Sequence, residues 1–320
     1  MEGLLAMHTS DRIFVAGHKG LVGSAIVRIL REKGYENVFY IPHRDLDLRD
    51  EERTLEFFKK TKPDYIFLAA AKCGGIKDNI NHPVQFLEDN LKIQNSVISA
   101  AHKIKVKKLL FLGSACIYPR QCAQPIHESE LLSGYLEPTN EAYSLAKIAG
   151  IKLCQAYNKQ YGTNFICAQP SNVYGPRDNF NPETSHVIAG LINRFHLAKD
   201  SKAESIECWG TGSARREFIY VEDLADALIF LMNNYDDTEI VNVGVGRDVS
   251  IKELVAHIVD VVGYEGKVKW DTSKPEGMPQ RLLDTTKLND LGWTSKTSLD
   301  HGLYMTYEYF KLDNIKLENK

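Results

Sequence analysis

RIFVAGHKGLVGSAIVRILREKG, residues 12–34, decides the fold. Arg12–Ala16 reads as a short buried strand. Gly17, Gly20 and Gly23 follow, and the apolar spacing then switches to helical through SAIVRILREKG. G-x-x-G-x-x-G between a strand and a helix puts glycine where the chain must turn tightly and approach a pyrophosphate. The helix N-terminus then faces the phosphates. An ordinary βα turn is the simpler alternative for these glycines. The flanking strand and helix favour a dinucleotide site, with His18 in a structural place inside the loop.

The same alternation continues outward. NVFYI (37–41) reads as a second strand. TLEFFKKTKPDYIFLAAA (54–71) reads as a helix, a break at Pro63 and a third strand. NLKIQNSVISAAHKIKV (90–106) reads as a helix leading into strand LLFLGS (109–114). AYSLAKIAGIKLCQAYNKQYG (142–162) is a helix before strand NFICAQP (164–170). Continuously apolar strands between helices predict a parallel sheet covered on both faces. After Pro170 the texture loosens: residues 171–186 read as a loop. Helix VIAGLINRFHLAK (187–199), a strand near Ile206–Trp209 and a strand–helix unit from Arg216 to Asn233 follow. Ser250 with Glu253 predicts a capping box at the start of another helix. Residues 267–293 read as short strands and turns, before a final helix near Tyr304–Lys311. The expected class is α/β: a Rossmann-type doubly wound parallel sheet with a smaller, interleaved C-terminal α/β substrate domain. The expected division is 1–171 plus about 217–246 for the nucleotide domain. The remainder, 172–216 plus about 247–320, forms the substrate domain.

Composition narrows the partners. The formal net charge of −3 and the lack of a Lys/Arg block argue against nucleic acid or an anionic membrane as partner. No apolar run approaches the ~20 residues of a bilayer span. The start, MEGLLAMHTSDR, has no basic region typical of a signal peptide and reads as a frayed extension. Cys73, Cys116, Cys122, Cys154, Cys167 and Cys208 are scattered without a C-x-x-C, which fits a reducing cytoplasm and no metal site. Most of them read as small buried hydrophobes.

Tyr143 and Lys147 are four apart on one helix and share a face. A Lys ammonium beside a phenol is expected to favour the phenolate, giving a group that exchanges protons near neutral pH. Ser114, at the end of an apolar run, can hold a carbonyl oxygen. These groups suit proton transfer at an alcohol or ketone oxygen, the companion of hydride chemistry. NAD sites place an acid at the end of the second strand. Here Pro42, His43 and Arg44 stand there, and Arg44 and Lys19 can pair with a 2′-phosphate. The expectation is NADP, with Asp47–Leu48 suited to an adenine contact.

AGHKGLVGSAI, AAAKCGGI, LGSACIYP, EPTNEAYSLAKIAGIKLC, NVYGPRDNF, SHVIAGLINRFH, WGTGSARREFIYVEDLA and LLDTTKLNDLGW together resemble the GDP-L-fucose synthase family. That family belongs to the extended short-chain dehydrogenase/reductases. The resemblance runs from about Arg12 to Trp293. It implies NADPH-dependent 3,5-epimerisation and 4-reduction of GDP-4-keto-6-deoxy-D-mannose in a cytoplasmic homodimer. It implies a reductase triad of Ser114, Tyr143 and Lys147, with Cys116 as the epimerisation base and His186 as its acid partner. It implies cofactor contacts at Gly17, Lys19, Gly20, Leu21, Val22, Gly23, Arg44, Ala69, Ala71, Tyr143, Lys147, Pro170, Asn172, Val173 and His186. Substrate contacts are implied at Asn172, Arg194, Trp209, Arg216 and Arg281. Read from its own context, Trp209 is expected to pack beneath the Gly210 turn, and Arg215 to be solvated or locally paired. Lys19 stands where the family often has Arg, Ala115 where it often has Ser, and Gln280–Arg281 where it often has two basic residues. Two alternatives remain: a related GDP-sugar 4-reductase or epimerase-reductase acting on another GDP-4-keto sugar such as a heptose, and a non-catalytic dinucleotide sensor or scaffold.

Overall fold

A computed structural model describes residues 6–273 and 278–318. The first five residues of the expected N-terminal extension, and residues 274–277 of the expected strand-and-turn segment, lie outside the described residues. What is described of the extension is not frayed. Met7 is buried and donates its amide to Asn233 Oδ1 at 2.8 Å, and Tyr65 donates its hydroxyl to the Ala6 carbonyl.

Strands β1 (Ile13–Ala16), β2 (Val38–Phe39), β3 (Tyr65–Leu68), β4 (Lys108–Leu112) and β5 (Phe165–Pro170) join β10 (Val241–Val243) in a six-stranded sheet. Its order is β10-β5-β4-β3-β1-β2, and every pair is parallel. The order reverses between β1 and β3, which opens a crevice at the carboxyl ends of those strands. β1, β3, β4 and β5 are buried along their whole length, so both faces carry apolar side chains. Helices α1 (Leu21–Glu32) and α7 (Val221–Asn234) cover one face. α2 (Glu51–Thr61), α4 (Pro83–Lys103) and α5 (Glu141–Tyr161) cover the other, and the short α3 (Ile76–Asn81) precedes α4.

A third apolar cluster gathers α6 (Val187–Asp200), α8 (Ile251–Val262) and α10 (Leu299–Glu318). Small sheets accompany it: β6 (Asn172–Tyr174) beside β9 (Phe218–Tyr220), and β7 (Ser205–Trp209) beside β12 (Lys267–Asp271). β8 (Arg215–Arg216) lies between β11 (Val249–Ser250) and β13 (Gln280–Arg281). The helix α9 (Thr286–Asp290) follows β13. The segment expected as a plain loop after Pro170 therefore starts as a strand, because Asn172–Tyr174 find a partner 46 positions later at Phe218–Tyr220. Such long-range pairing leaves no mark in local texture. The capping box at Ser250 and Glu253 forms as expected.

Helix α5 approaches the sheet closely because of Gly150. A Cβ there would lie 2.4 Å from Phe111 Cζ and 2.8 Å from Gln94 Oε1. Gln94 Nε2 also donates to the Ala146 carbonyl at 2.7 Å, which fixes α5 against α4. Gly150→Val is expected to lose about 1–3 kcal/mol through overpacking. It should also lower turnover, because Tyr143 and Lys147 ride on the same helix. An unchanged denaturation midpoint would mean that Phe111 moves aside freely.

Candidate active site

The site is built on the carboxyl ends of β1, β3, β4 and β5. Gly17 follows β1 at φ +85°, and a Cβ there would stand 2.8 Å from Ala70 N. A Cβ on Gly23 would stand 2.2 Å from Gly17 O, so α1 starts hard against the turn. Lys19, Gly20, Leu21 and Val22 complete that turn, and Ala69 and Ala71 continue β3. Pro170 ends β5, and Val173 lies in β6. Arg44 is exposed beyond β2, 3.6 Å from Asp45, and Lys19 is also exposed. Asp47 is engaged by Arg49, whose guanidinium holds its carboxyl below the usual range. His18 stacks on Tyr40 with ring centres 4.1 Å apart, a structural place as expected. This rim suits a dinucleotide: backbone N–H groups at a helix start, and cations in the glycine turn and beyond β2.

Ser114 follows β4. Its amide donates to Gln169 Oε1 at 3.0 Å, and its hydroxyl accepts from Cys116 N at 3.3 Å, which caps the short 3₁₀ turn Ala115–Ile117. Lys147 is 3 % exposed and donates to the Leu112 carbonyl at 2.7 Å. Its ammonium stands 4.9 Å from the centre of the Phe111 ring and 5.7 Å from that of Tyr143. Burial lowers its pKa, opposed by the Cys73 charge.

Tyr143 reverses the expected direction. Burial, with the neighbouring thiols of Cys73 and Cys116, pushes its phenol well above the ordinary range, and a Ser114 hydrogen bond opposes them. Lys147 commits its short hydrogen bond to a backbone carbonyl, so the ammonium does not draw the phenol toward phenolate. Tyr143 is thus a proton-bearing donor at neutral pH.

Two residues here have no signal in the sequence patterns. Cys73 Sγ lies 3.6 Å from Tyr143 Oη, and Cys73 is exposed rather than a buried hydrophobe. Cys154, Cys167 and Cys208 are buried as expected. Asn140 donates from Nδ2 to Cys116 Sγ at 3.3 Å. Asn140 is also the N-cap of α5, where an Asn side chain capping the helix contributes about 1 kcal/mol. No such capping bond forms.

His186 is the N-cap of α6 and is exposed. Its neighbours still strip solvation from the charged ring and lower its pKa. Its loop is tied to the Cys73 loop, since Gly75 N donates to the Thr184 carbonyl at 3.0 Å. Arg216 and Arg281 are register partners on β8 and β13, and burial with mutual repulsion lowers the Arg216 pKa. Arg281 Nη1 donates to the Ala115 carbonyl at 2.6 Å, which joins this cationic pair to the Cys116 turn. Glu217, next to Arg216 and buried, accepts amides from Val245, Gly246 and Leu283, while its own carbonyl accepts from Asn172 Nδ2. Arg215 is locally paired with Asp248 at 2.8 Å, as expected.

Arg194 and Trp209 are not joined to this cluster by any described contact. Arg194 donates to the Glu207 carbonyl on β7. Trp209 is 67 % exposed, so the expectation that it packs beneath the Gly210 turn is wrong. Trp270 takes that place: a Cβ on Gly212 would lie 2.6 Å from its ring. Among the described residues β7 pairs with β12 alone, and Trp209 at its end projects away from the cluster that buries Cys208. No group of three or more potential metal ligands forms among the described residues.

Asp178, in the loop before His186, has a buried Oδ2 without a partner among the described residues. Burial pushes its carboxyl from 3.8 to about 7. The folded chain therefore binds a proton that the unfolded chain releases, and stability falls as pH rises from about 4 to about 7. Asp178→Asn is expected to remove that slope, measured by urea unfolding across the range. A slope identical to the parent's would place the titration elsewhere.

The NAD dependent epimerase/dehydratase family model matches residues 13–244. GDP-L-fucose synthase 1 of Arabidopsis thaliana is 54% identical over 301 residues, covering 94% of this chain and 93% of that protein. A GDP-L-fucose synthetase from Naegleria fowleri bound to NADP superposes with a TM-score of 0.91 at 29% identity, covering 99% of this chain and 97% of its own. A GDP-6-OMe-4-keto-L-xylo-heptose reductase from C. jejuni gives a TM-score of 0.91 at 37% identity, covering 97% and 100%. The chain belongs to the NAD dependent epimerase/dehydratase family and, within it, to the GDP-L-fucose synthase family.

Proposed function

We propose that this chain converts GDP-4-keto-6-deoxy-D-mannose to GDP-L-fucose by 3,5-epimerisation and NADPH-dependent 4-reduction. The observation that carries this reading is the thiol of Cys116, two residues beyond Ser114, in the short turn that the Ser114 hydroxyl caps. A simple reductase has no use for a thiol there. A 4-keto group acidifies the hydrogens on carbons 3 and 5. Cys116 takes such a proton, and the electron pair moves onto the carbonyl oxygen, held by Ser114 and Tyr143. His186 returns a proton to the opposite face. NADPH, when bound, supplies hydride to carbon 4. Tyr143, kept protonated by its surroundings, then donates to the new alcohol oxygen.

Lys147 positions the end of β4 and faces the nicotinamide ribose in this reading. The glycine turn with Lys19 and Arg44 holds the phosphates of NADPH, and Leu21, Val22, Ala69, Ala71, Pro170 and Val173 line its length. Arg216, Arg281 and Asn172 hold the GDP-sugar, with Arg194 and Trp209 on the outer rim. Residues 1–171 plus about 217–246 act as the nucleotide domain, and the remainder as the substrate domain. We also infer a cytoplasmic homodimer, which the resemblance supports. No helix among the described residues is long and apolar enough to cross a membrane. A second reading, reduction of a GDP-4-keto-heptose, is favoured by the likeness to the C. jejuni reductase.

In D₂O with NADPH and GDP-4-keto-6-deoxy-mannose, NADPH should be consumed and deuterium should appear at carbons 3 and 5. Consumption without deuterium would leave only the reductase. Cys116→Ser should slow deuterium uptake about a hundredfold or more while sparing reduction of the pre-epimerised ketone. Equal slowing of both steps would place Cys116 in binding or packing.

A further inference from the structure

We propose that Asn140 is a positioning residue for the epimerisation, whose side-chain amide donates to the Cys116 sulfur and sustains it as the proton acceptor. The inference rests on the epimerase reading above. Its first support is the contact itself, Nδ2 to Sγ at 3.3 Å. The second is independent: Asn140 holds the N-cap position of α5, where Asn accepts an amide from the first turn. Here the side chain makes no such bond, at φ −137° and ψ 20°. A residue type suited to capping thus gives up the cap and turns its donor to the thiol.

The placement is fixed from several sides. Asn140 ends the 3₁₀ turn Pro138–Asn140, and its amide donates to the Glu137 carbonyl at 3.2 Å. Ser144 Oγ donates to the Asn140 carbonyl at 3.1 Å and approaches Asn140 Oδ1 at 3.5 Å. The amide oxygen thereby faces Ser144 and the NH₂ faces the sulfur. Tyr143 lies three residues further on the same helix. One helix start therefore presents the acid for the carbonyl oxygen and a donor to the base. A hydrogen bond donated to a thiolate favours the charged form and leaves the remaining lone pairs for the substrate proton. The proton balance is unchanged: the C–H bond breaks, its proton goes to sulfur, and its electron pair goes to the enolate oxygen.

The test compares Asn140→Ser, which can cap the helix but cannot reach the sulfur, with Asn140→Asp, which replaces the donor by a carboxylate. Deuterium uptake at carbons 3 and 5 should fall about tenfold at neutral pH in the Ser variant, and further in the Asp variant. Its pH profile should move up by about one unit. Reduction of the pre-epimerised ketone should stay within about threefold. The melting temperature of Asn140→Ser should hold or rise, because capping is restored. Iodoacetamide labelling of Cys116, followed on its own peptide, should slow in parallel. Labelling and deuterium profiles that match the parent in both variants would overturn the proposal. So would a joint loss of epimerisation, reduction and melting temperature, which marks a structural role. If the parent itself took up no deuterium, the epimerase reading would fail, while the labelling profiles would still decide whether Asn140 sustains the thiolate.

Discussion

The buried ammonium of Lys147 on the Leu112 carbonyl is the constraint from which the site follows. A charge at 3 % exposure is costly unless it is hydrogen-bonded, and here one short bond and the face of Phe111 receive it. That bond fixes α5 to the carboxyl end of β4. Gly150 permits the approach, since any side chain there would meet Phe111. Tyr143, one turn earlier on α5, then stands over the Ser114–Cys116 turn.

The same bond settles the protonation of Tyr143. An ammonium aimed at the phenolic oxygen would favour phenolate. An ammonium committed to a carbonyl does not, and desolvation with two nearby thiols then dominates. A protonated phenol suits a group that must give a proton to a newly reduced oxygen. It also suits a donor to an enolate oxygen, so one protonation state serves both half-reactions of the proposed chemistry. On the substrate side, Glu217 plays the analogous part. Its carboxylate gathers amides from two segments, and its raised pKa of about 7 reflects the burial that this costs.

Much of the fold was legible. The glycine turn, the apolar strands, the helix faces and the capping box at Ser250 are all local patterns, and local patterns are what a linear reading detects. Tyr143 and Lys147 could be paired because four residues is a helical repeat. Cys73 and Gln169 could not be linked to the site, because each reaches it from a different element, and Asn140, though three residues before Tyr143, meets Cys116 only across 24 positions. Cys73 meets Tyr143 across 70 positions and Ser114 meets Gln169 across 55. Trp209 was misread for a related reason. Which of Trp209 and Trp270 packs under the glycine turn depends on the register of β12 against β7, which sets Trp270 beside the buried Cys208, and β12 arrives more than 50 residues later.

By itself the sequence determined the class of fold, the glycine turn, the Tyr–Lys helix face and the family, since these depend on residue type and short-range spacing. Only the tertiary structure decided what Lys147 binds, the direction of the Tyr143 shift, which arginines share a register and which amide meets the Cys116 sulfur. Those depend on distances between elements far apart in the chain, and on how much solvent each group loses when the elements close.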